Sequence, residues 1–124
     1  MAPGSSLVSL KVLGADGSGN TSDVIEAIDW AITNRARFNI RVINLSLGRP
    51  VLESYLDDPL CQAAQRAVNA GIVVVAAAGN FGKTNDGRAV VGGIIAPGNT
   101  PSVLTVGAIN TKGTARRSDD IMRL

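Results

Sequence analysis

The sequence contains no histidine among its 124 residues. Histidine is the side chain that most often serves as a general base, so a nucleophile–imidazole–carboxylate triad cannot be built from these residues alone. The single cysteine, Cys61, cannot form an internal disulfide and has no imidazole to activate its thiol. We therefore predict that Cys61 is a small buried residue on a helix and that no complete triad is present.

The sequence also lacks long apolar runs and a large excess of charge of either sign. The longest apolar run is far shorter than the ~20 residues that a membrane-spanning helix needs, and no basic segment ahead of an apolar core resembles a secretory signal. The net charge is only +2, and Arg116-Arg117 is followed at once by Asp119-Asp120. A mixed surface of this kind is not a nucleic-acid footprint. We expect neither a nucleic-acid partner nor a membrane partner.

What the chain does contain is an alternation of strand and helix patterns. One helix is predicted to start at a cap formed by Ser22 or Asp23, and a second to start at Asp58-Pro59 and end at Gly71. Four apolar runs are predicted to be strands: Leu7–Leu13, Val42–Leu47, Ile72–Ala78 and Ser102–Val106. Strand–helix–strand units of this length predict an α/β fold with a mainly parallel sheet of about four strands. The length suits one domain, residues 1–124, with a mobile tail from about residue 112.

Three loops follow predicted strands and are rich in small residues: Gly14–Gly19, Ser46–Gly48 and Ala77–Asn80. In a parallel sheet, binding sites gather beyond the carboxyl ends of the strands, so we expect these loops to meet at one edge. Taken singly, each loop is also what an ordinary tight turn requires. The loop at Gly17 and Gly19 is not a phosphate-binding P-loop, because no Lys-Ser or Lys-Thr pair follows it.

Four segments in register give the chain a resemblance to the subtilases, the subtilisin-like serine proteases. They are Val8–Gly19, Asn44–Gly48, Ala76–Asn80 and Ala96–Val103, and the resemblance runs from about Ala2 to Arg117. It implies part of a three-layer α/β/α subtilisin-like fold, hydrolysis of peptide bonds through an acyl-enzyme, and polypeptide substrates. It also implies an extracellular location and no cofactor.

The catalytic Asp, His and Ser that the family requires are not found in these segments. The nearest approach to the Gly-Thr-Ser motif of the nucleophile is Gly113-Thr114-Ala115, which has alanine in place of the hydroxyl. We therefore expect an internal fragment of the catalytic domain of a serine endopeptidase, inactive alone. A non-catalytic peptide-binding or interaction module, and more remotely a small-molecule-binding doubly wound domain, remain alternatives.

The resemblance also implies roles for individual residues. Asn80 corresponds to the oxyanion-hole residue, and Ile95 to the floor of an apolar pocket for the substrate residue before the scissile bond. The other implied substrate-binding residues are two strand segments, Gly17, Ser18, Gly19 and Ser46, Leu47, Gly48, and one pocket wall, Ala77, Ala78, Gly79. The Ala96-Pro97 bond is expected to be cis.

Metal binding is not expected. The carboxylates at Asp16, Asp86 and Asp119 lack the spacing that oxygen ligands of a cation need.

One further expectation concerns the edges of the sheet. In the family a strand that is not in this sequence lies between the first and second strands present here. We therefore predict either direct pairing of Leu7–Leu13 with Val42–Leu47, or self-association through the exposed strand edges.

Overall fold

The computed structural model describes residues 2–82, 84, 86, 88, 90 and 92–123 of the chain. Two α-helices and five short strands form within these residues. In chain order they are α1 (Thr21–Phe38), β1 (Val42–Leu45), α2 (Pro59–Asn69), β2 (Val73–Ala77), β3 (Leu104–Val106), β4 (Ala108–Asn110) and β5 (Ile121–Arg123). A 3₁₀ turn, Arg117–Asp119, comes just before β5.

The main sheet is parallel, with the strand order β1-β2-β3, so β2 is its central strand. Val42 lies opposite Val73 in the first pair, and Val75 lies opposite Leu104 in the second. The crossover from β1 to β2 runs through α2, as the sequence pattern predicted. The predicted α/β class and mainly parallel sheet are therefore confirmed, although three strands take part rather than four.

The apolar core lies between one face of this sheet and the two helices. Its buried side chains are Val24, Ile28, Leu45, Leu60, Ala63, Ala64, Ala67, Ile72, Val74, Ala76 and Val103. Ala63, Ala64 and Ala67 are fully buried on α2, and such short side chains let the helix axis approach its neighbours closely. Cys61 is buried on the same helix, which confirms the prediction for the thiol.

The opposite face of the sheet is apolar and largely exposed. Val73, Leu104 and Val106 lie on it with exposed fractions of 47%, 58% and 55%. Because both helices contribute to the core on the other face, the described residues form two of the three layers that the family resemblance implies.

The strand predicted at Leu7–Leu13 is wrong. These residues form no strand and make no backbone hydrogen bond with any other described residue, and Leu7 is 95% exposed. Alternating apolar residues favour an extended backbone, but a strand also needs a neighbour to complete its hydrogen bonds. The direct pairing predicted between this segment and β1 is therefore absent. β1 pairs with β2 on one side and with no described strand on the other. Self-association through that edge stays a prediction.

The helix boundaries show which local signals are reliable. α2 starts where predicted: the side chain of Asp58 accepts hydrogen bonds from the backbone of Leu60 and Cys61, at 2.8 and 3.3 Å, and Pro59 is the first helical residue. The predicted start of α1 is wrong, because Asn20 occupies the N-cap position and the helix begins at Thr21. Several consecutive residues there can act as caps, so sequence alone could not choose among them.

The end of the described chain forms a small antiparallel hairpin. β4 pairs with β5, with Ala108 opposite Arg123. The segment predicted to be a mobile tail therefore contains paired backbone, while its mobility stays a prediction. Among the described residues, no helix is both long and apolar enough to cross a membrane.

Candidate functional site

A groove brings together two of the three predicted loops. Gly17, Ser18 and Gly19 line it together with Ser46, Leu47 and Gly48, around a cavity of ≈ 360 Å³. Ser46 follows directly after the last residue of β1, so the groove lies at the carboxyl edge of the parallel sheet. This is where the topology predicts a binding site.

The groove also has an aliphatic lining that sequence reasoning missed. Leu13, Val24 and Leu60 contribute to it, from the segment before the first loop, from α1 and from α2 respectively. Val24 and Leu60 are core residues whose side chains also reach the cavity. Their sequence signal was only the apolar stripe of each helix, which does not indicate whether a side chain borders a cavity. Arg49 lines the groove too, and no sequence pattern pointed to it.

The Gly17–Gly19 side of the groove is held in a tight loop by Asp16. The carboxylate of Asp16 accepts hydrogen bonds from the backbone and the hydroxyl of Ser18, at 3.1 and 2.7 Å. These bonds lower the pKa of the Asp16 carboxyl below its ordinary value, the hydroxyl bond having the larger effect. The amide of Gly14 donates to the carbonyl of Ser18 at 2.7 Å, and that of Gly17 to the carbonyl of Gly14 at 3.1 Å. Gly17 suits this loop because its φ is +80°, where residues with a Cβ are strained.

The backbone groups that remain free on this loop matter for binding. The carbonyl of Gly17 and both backbone groups of Gly19 make no hydrogen bond with any other described residue. The same holds for the backbone groups of Ser46, Leu47 and Gly48 across the groove. Two segments with unpaired donors and acceptors therefore lie along one cavity.

The third predicted loop joins the groove through Ile95. A Cβ built at Gly79 would lie 2.7 Å from Ile95 Cγ2, and one built at Gly48 would lie 2.8 Å from Ile95 Cγ1. The amide of Ile95 also donates to the carbonyl of Ala78 at 3.0 Å. The Ile95 side chain thus lies between the groove segment and the loop after β2. The residues expected to form a pocket wall and floor, Ala77, Ala78, Gly79 and Ile95, are neighbours in space.

The backbone next to Ile95 has the conformation expected from the resemblance. The peptide bond between Ala96 and Pro97 is cis, which confirms that prediction. The hydrogen bond from the backbone amide of Ile95 to the carbonyl of Ala78 therefore ties the segment just before this bond to the loop after β2.

Asn80 lies one residue beyond the contact between Gly79 and Ile95, at the end of the loop that follows β2. The residue is exposed, and its side-chain amide makes no hydrogen bond with any other described residue. Asn80 does not line the groove itself. Its amide is therefore available to donate to a group outside the chain.

Other kinds of site find little support in the described part of the chain. Within it, no group of three or more carboxylates and thiols is arranged to hold a metal ion. The buried Cys61 thiol has a raised pKa, chiefly because burial disfavours the thiolate and also because the Asp58 charge is close. A thiol in this state is a poor nucleophile.

The chain is similar to known proteins in sequence and in fold. The sequence model of the Subtilase family matches residues 1–119 of the chain. The Serine protease AprX of Bacillus subtilis (strain 168) is 37% identical over 124 residues, covering 96% of this chain and 27% of the relative. Subtilisin E of the same strain is 42% identical over 111 residues, covering 90% of this chain and 26% of the relative.

Two solved structures are similar in fold as well as in sequence. Sphericase superposes with a TM-score of 0.70 at 28% identity, and a psychrophilic protease with a TM-score of 0.68 at 33% identity. Each similarity covers 90% of this chain and 32% of the solved chain. The chain thus spans about a quarter to a third of the length of the proteins it matches.

Proposed function

The chain belongs to the subtilase family of serine peptidases, and from this premise we propose that it forms the substrate-binding part of a serine endopeptidase domain. Its substrates are polypeptides, and it is inactive alone because it has no histidine to serve as the base of a triad. Similarity to proteases favours this proposal over a peptide-binding module without catalysis. Family membership also supports an extracellular location and chemistry without a cofactor.

The observation that carries the proposal is the groove with free backbone on both sides. An extended peptide offers donors and acceptors along both of its edges. It can therefore pair with Ser46–Gly48 on one edge and with Gly17 and Gly19 on the other, as an added strand. Glycine suits these positions because a Cβ would hold the two backbones apart.

The lining of the groove indicates which peptides fit. Leu13, Val24, Leu47 and Leu60 offer aliphatic contacts, so a peptide with an aliphatic side chain at the corresponding position is favoured. Ile95 fills space beside Gly48 and Gly79, which makes the adjoining pocket apolar and shallow. A medium-sized apolar residue before the scissile bond is therefore favoured over a charged one.

Asn80 supplies the electrostatic part of catalysis in this proposal. When a serine hydroxyl attacks the scissile carbonyl, its oxygen becomes negatively charged, and the free amide of Asn80 donates a hydrogen bond to it. Such a donor acts mainly in the transition state, because the charge on the oxygen develops there. In subtilisin, a member of this family, losing the donor lowers turnover by about 10²- to 10³-fold, and we carry that measured magnitude over to Asn80.

A chimera tests the proposal. The aligned segment of the Serine protease AprX is replaced by this chain, and hydrolysis of an extended chromogenic peptide is measured. We expect an active chimera, in which Asn80→Ala lowers kcat by about 10²- to 10³-fold and changes KM little. Asn69→Ala, which removes an exposed amide at the end of α2, is the matched control and should leave both constants unchanged.

Two outcomes would contradict parts of the proposal. A folded chimera that hydrolyses no peptide would rule out the protease assignment. An active chimera in which Asn80→Ala has no effect, or lowers kcat and affinity equally, would remove the oxyanion role alone. Titration of the isolated chain with extended peptides and with nucleotides separately tests the class of ligand.

A further inference from the structure

We propose that the ion pair between Arg49 and Asp58 is a positioning device that holds the segment Ser46–Gly48 against its side of the groove. The inference rests on the proposed function, because it concerns how the groove is kept ready for a peptide. It assigns no catalytic role to either residue. Both act through the backbone that they hold.

Arg49 is the residue at which the groove segment is tied down. It follows Gly48 directly, and its backbone exchanges two hydrogen bonds with Ala96: the Arg49 amide donates at 3.0 Å and the Ala96 amide donates back at 2.9 Å. This bridge connects the groove segment to the residue after Ile95. Whatever fixes Arg49 therefore fixes both the end of the groove segment and the neighbouring pocket residue.

Asp58 supplies a rigid anchor for the Arg49 side chain. It is fully buried at the start of α2, and its Oδ1 accepts from the amides of Leu60 and Cys61 while lying 2.9 Å from Arg49 Nη2. Hydrogen bonds that involve charged groups are stronger than neutral ones, and the helix N-terminus also favours the carboxylate. The guanidinium is therefore held to a helix that belongs to the core.

The location of this ion pair suits positioning better than general stabilisation. Replacing a buried ion pair by apolar residues is often neutral for stability, because desolvation offsets the attraction between the charges. Here, however, Arg49 itself lines the groove, and Asp58 caps the helix from which Leu60 reaches the same groove. Its geometric effect falls on the segment that binds the peptide.

A second ion pair provides a contrast within the same molecule. Arg66 on α2 and Asp29 on α1 are 2.8 Å apart, each with a side chain that is 48% exposed, and neither lines the groove. This pair connects two helices, is open to solvent and holds no loop. Arg66→Met is therefore the matched control for Arg49→Met.

The test measures local opening in the 124-residue chain by amide hydrogen exchange. We expect Arg49→Met to speed exchange at the amides of Arg49 and Ala96 by about tenfold or more, with the amides of β2 unchanged. Arg66→Met should leave the exchange rates of the Arg49 and Ala96 amides unchanged. The same Arg49 variant should weaken binding of an extended aliphatic peptide by about tenfold, measured by titration.

A double variant guards against loss of folding. If Arg49→Met unfolds because it leaves the Asp58 charge buried and unpaired, Arg49→Met is combined with Asp58→Asn, which keeps an oxygen to cap α2. The double variant should fold and still show fast local exchange. Unchanged exchange at Arg49 and Ala96, or exchange that rises equally throughout β2 and α2, would overturn the inference. A wild-type chain that binds no peptide would instead count against the proposed function. The exchange measurement would still decide whether the Arg49–Asp58 pair holds the groove segment in place.

Discussion

Gly48 and Ile95 lie in direct contact, and this contact joins the two halves of the candidate site. A Cβ built at Gly48 would lie 2.8 Å from Ile95 Cγ1, closer than carbon atoms can approach without one of them moving. Ile95 in turn lies against Gly79, two positions after the end of β2. The segment that borders the groove and the loop that leads to Asn80 are thus held together by one isoleucine side chain.

The first prediction concerns Gly48→Ala. The added Cβ would also lie 2.6 Å from the carbonyl oxygen of Ala96, a backbone atom that cannot turn aside. We expect a loss of about 1–3 kcal/mol in the free energy of unfolding, measured with urea, and weaker binding of an extended peptide. Gly4→Ala is the control, because no atom lies within 4 Å of a Cβ there. Equal stability of the two variants would show that the Gly48 backbone can move freely.

The second prediction separates two reasons for glycine at position 79. Its φ is +105°, which is strained for residues with a Cβ, and the added Cβ would lie 2.7 Å from Ile95 Cγ2. We expect Gly79→Ala to lower the free energy of unfolding. Adding Ile95→Ala to that variant should recover only the part of the loss that comes from the clash between the new Cβ and the Ile95 side chain. A residual penalty of about 1–3 kcal/mol should remain from the backbone strain. Full recovery in urea unfolding would mean that the φ value imposes no cost.

The third prediction concerns the pH dependence of the Gly17–Gly19 loop. The pKa of Asp16 is lowered from its ordinary value of 3.8 because the Ser18 hydroxyl and amide donate to the carboxylate. A lowered pKa in the folded state means that the loop's stabilisation is fully present above pH 3.8 and is lost as the pH falls through the lower value. The Ser18 amide resonance should therefore titrate with a midpoint below 3.8.

Substitutions at the same loop check this assignment. Ser18→Ala removes the hydroxyl, which is the larger cause of the shift, and should move the midpoint up toward the ordinary value. Asp16→Asn should abolish the titration of the loop. If Ser18→Ala leaves the midpoint unchanged, the hydroxyl of Ser18 is not the cause of the low pKa of Asp16.

The fourth prediction concerns the unpaired edge of β1. Among the described strands only β2 pairs with it, so its outer edge offers free donors and acceptors to a second chain. We expect the isolated chain to self-associate in light scattering as its concentration rises. Val42→Lys places a charge on this exposed strand and should shift the equilibrium toward monomer, whereas Val51→Lys, on an exposed residue outside the strands, should not. A wild-type monomer at all concentrations would contradict the prediction.

Features set by local chemistry could be predicted from the sequence. Asp58-Pro59 and Gly71 mark both ends of α2 because caps, proline and left-handed glycine act within a few residues. The central strand β2 also follows from one uninterrupted apolar run. The prediction at Leu7–Leu13 was wrong because alternation reports only a preference for extended backbone, whereas a strand depends on a partner elsewhere in the chain.

The candidate site was predictable only in part for the same reason. The position of Ser46–Gly48 at the carboxyl edge of the parallel sheet was predictable from the order of strands and loops. Gly17–Gly19 line the same groove as predicted, although the segment before them forms no strand. The roles of Val24 and Leu60 as groove lining, and of Arg49 as the partner of Asp58, left no mark in the sequence. Those roles depend on how α1, α2 and the segment after β1 pack against one another.

The sequence by itself determined the α/β class, the start of α2, the family resemblance and the absence of an imidazole base, since each depends on residue identity or short-range order. Only the tertiary structure decided that Ile95 lies between Gly48 and Gly79. It also decided that the buried carboxylate of Asp58 pairs with Arg49 beside the groove. The physical reason is that side-chain contacts between segments far apart in the chain are set by packing, which no local pattern encodes.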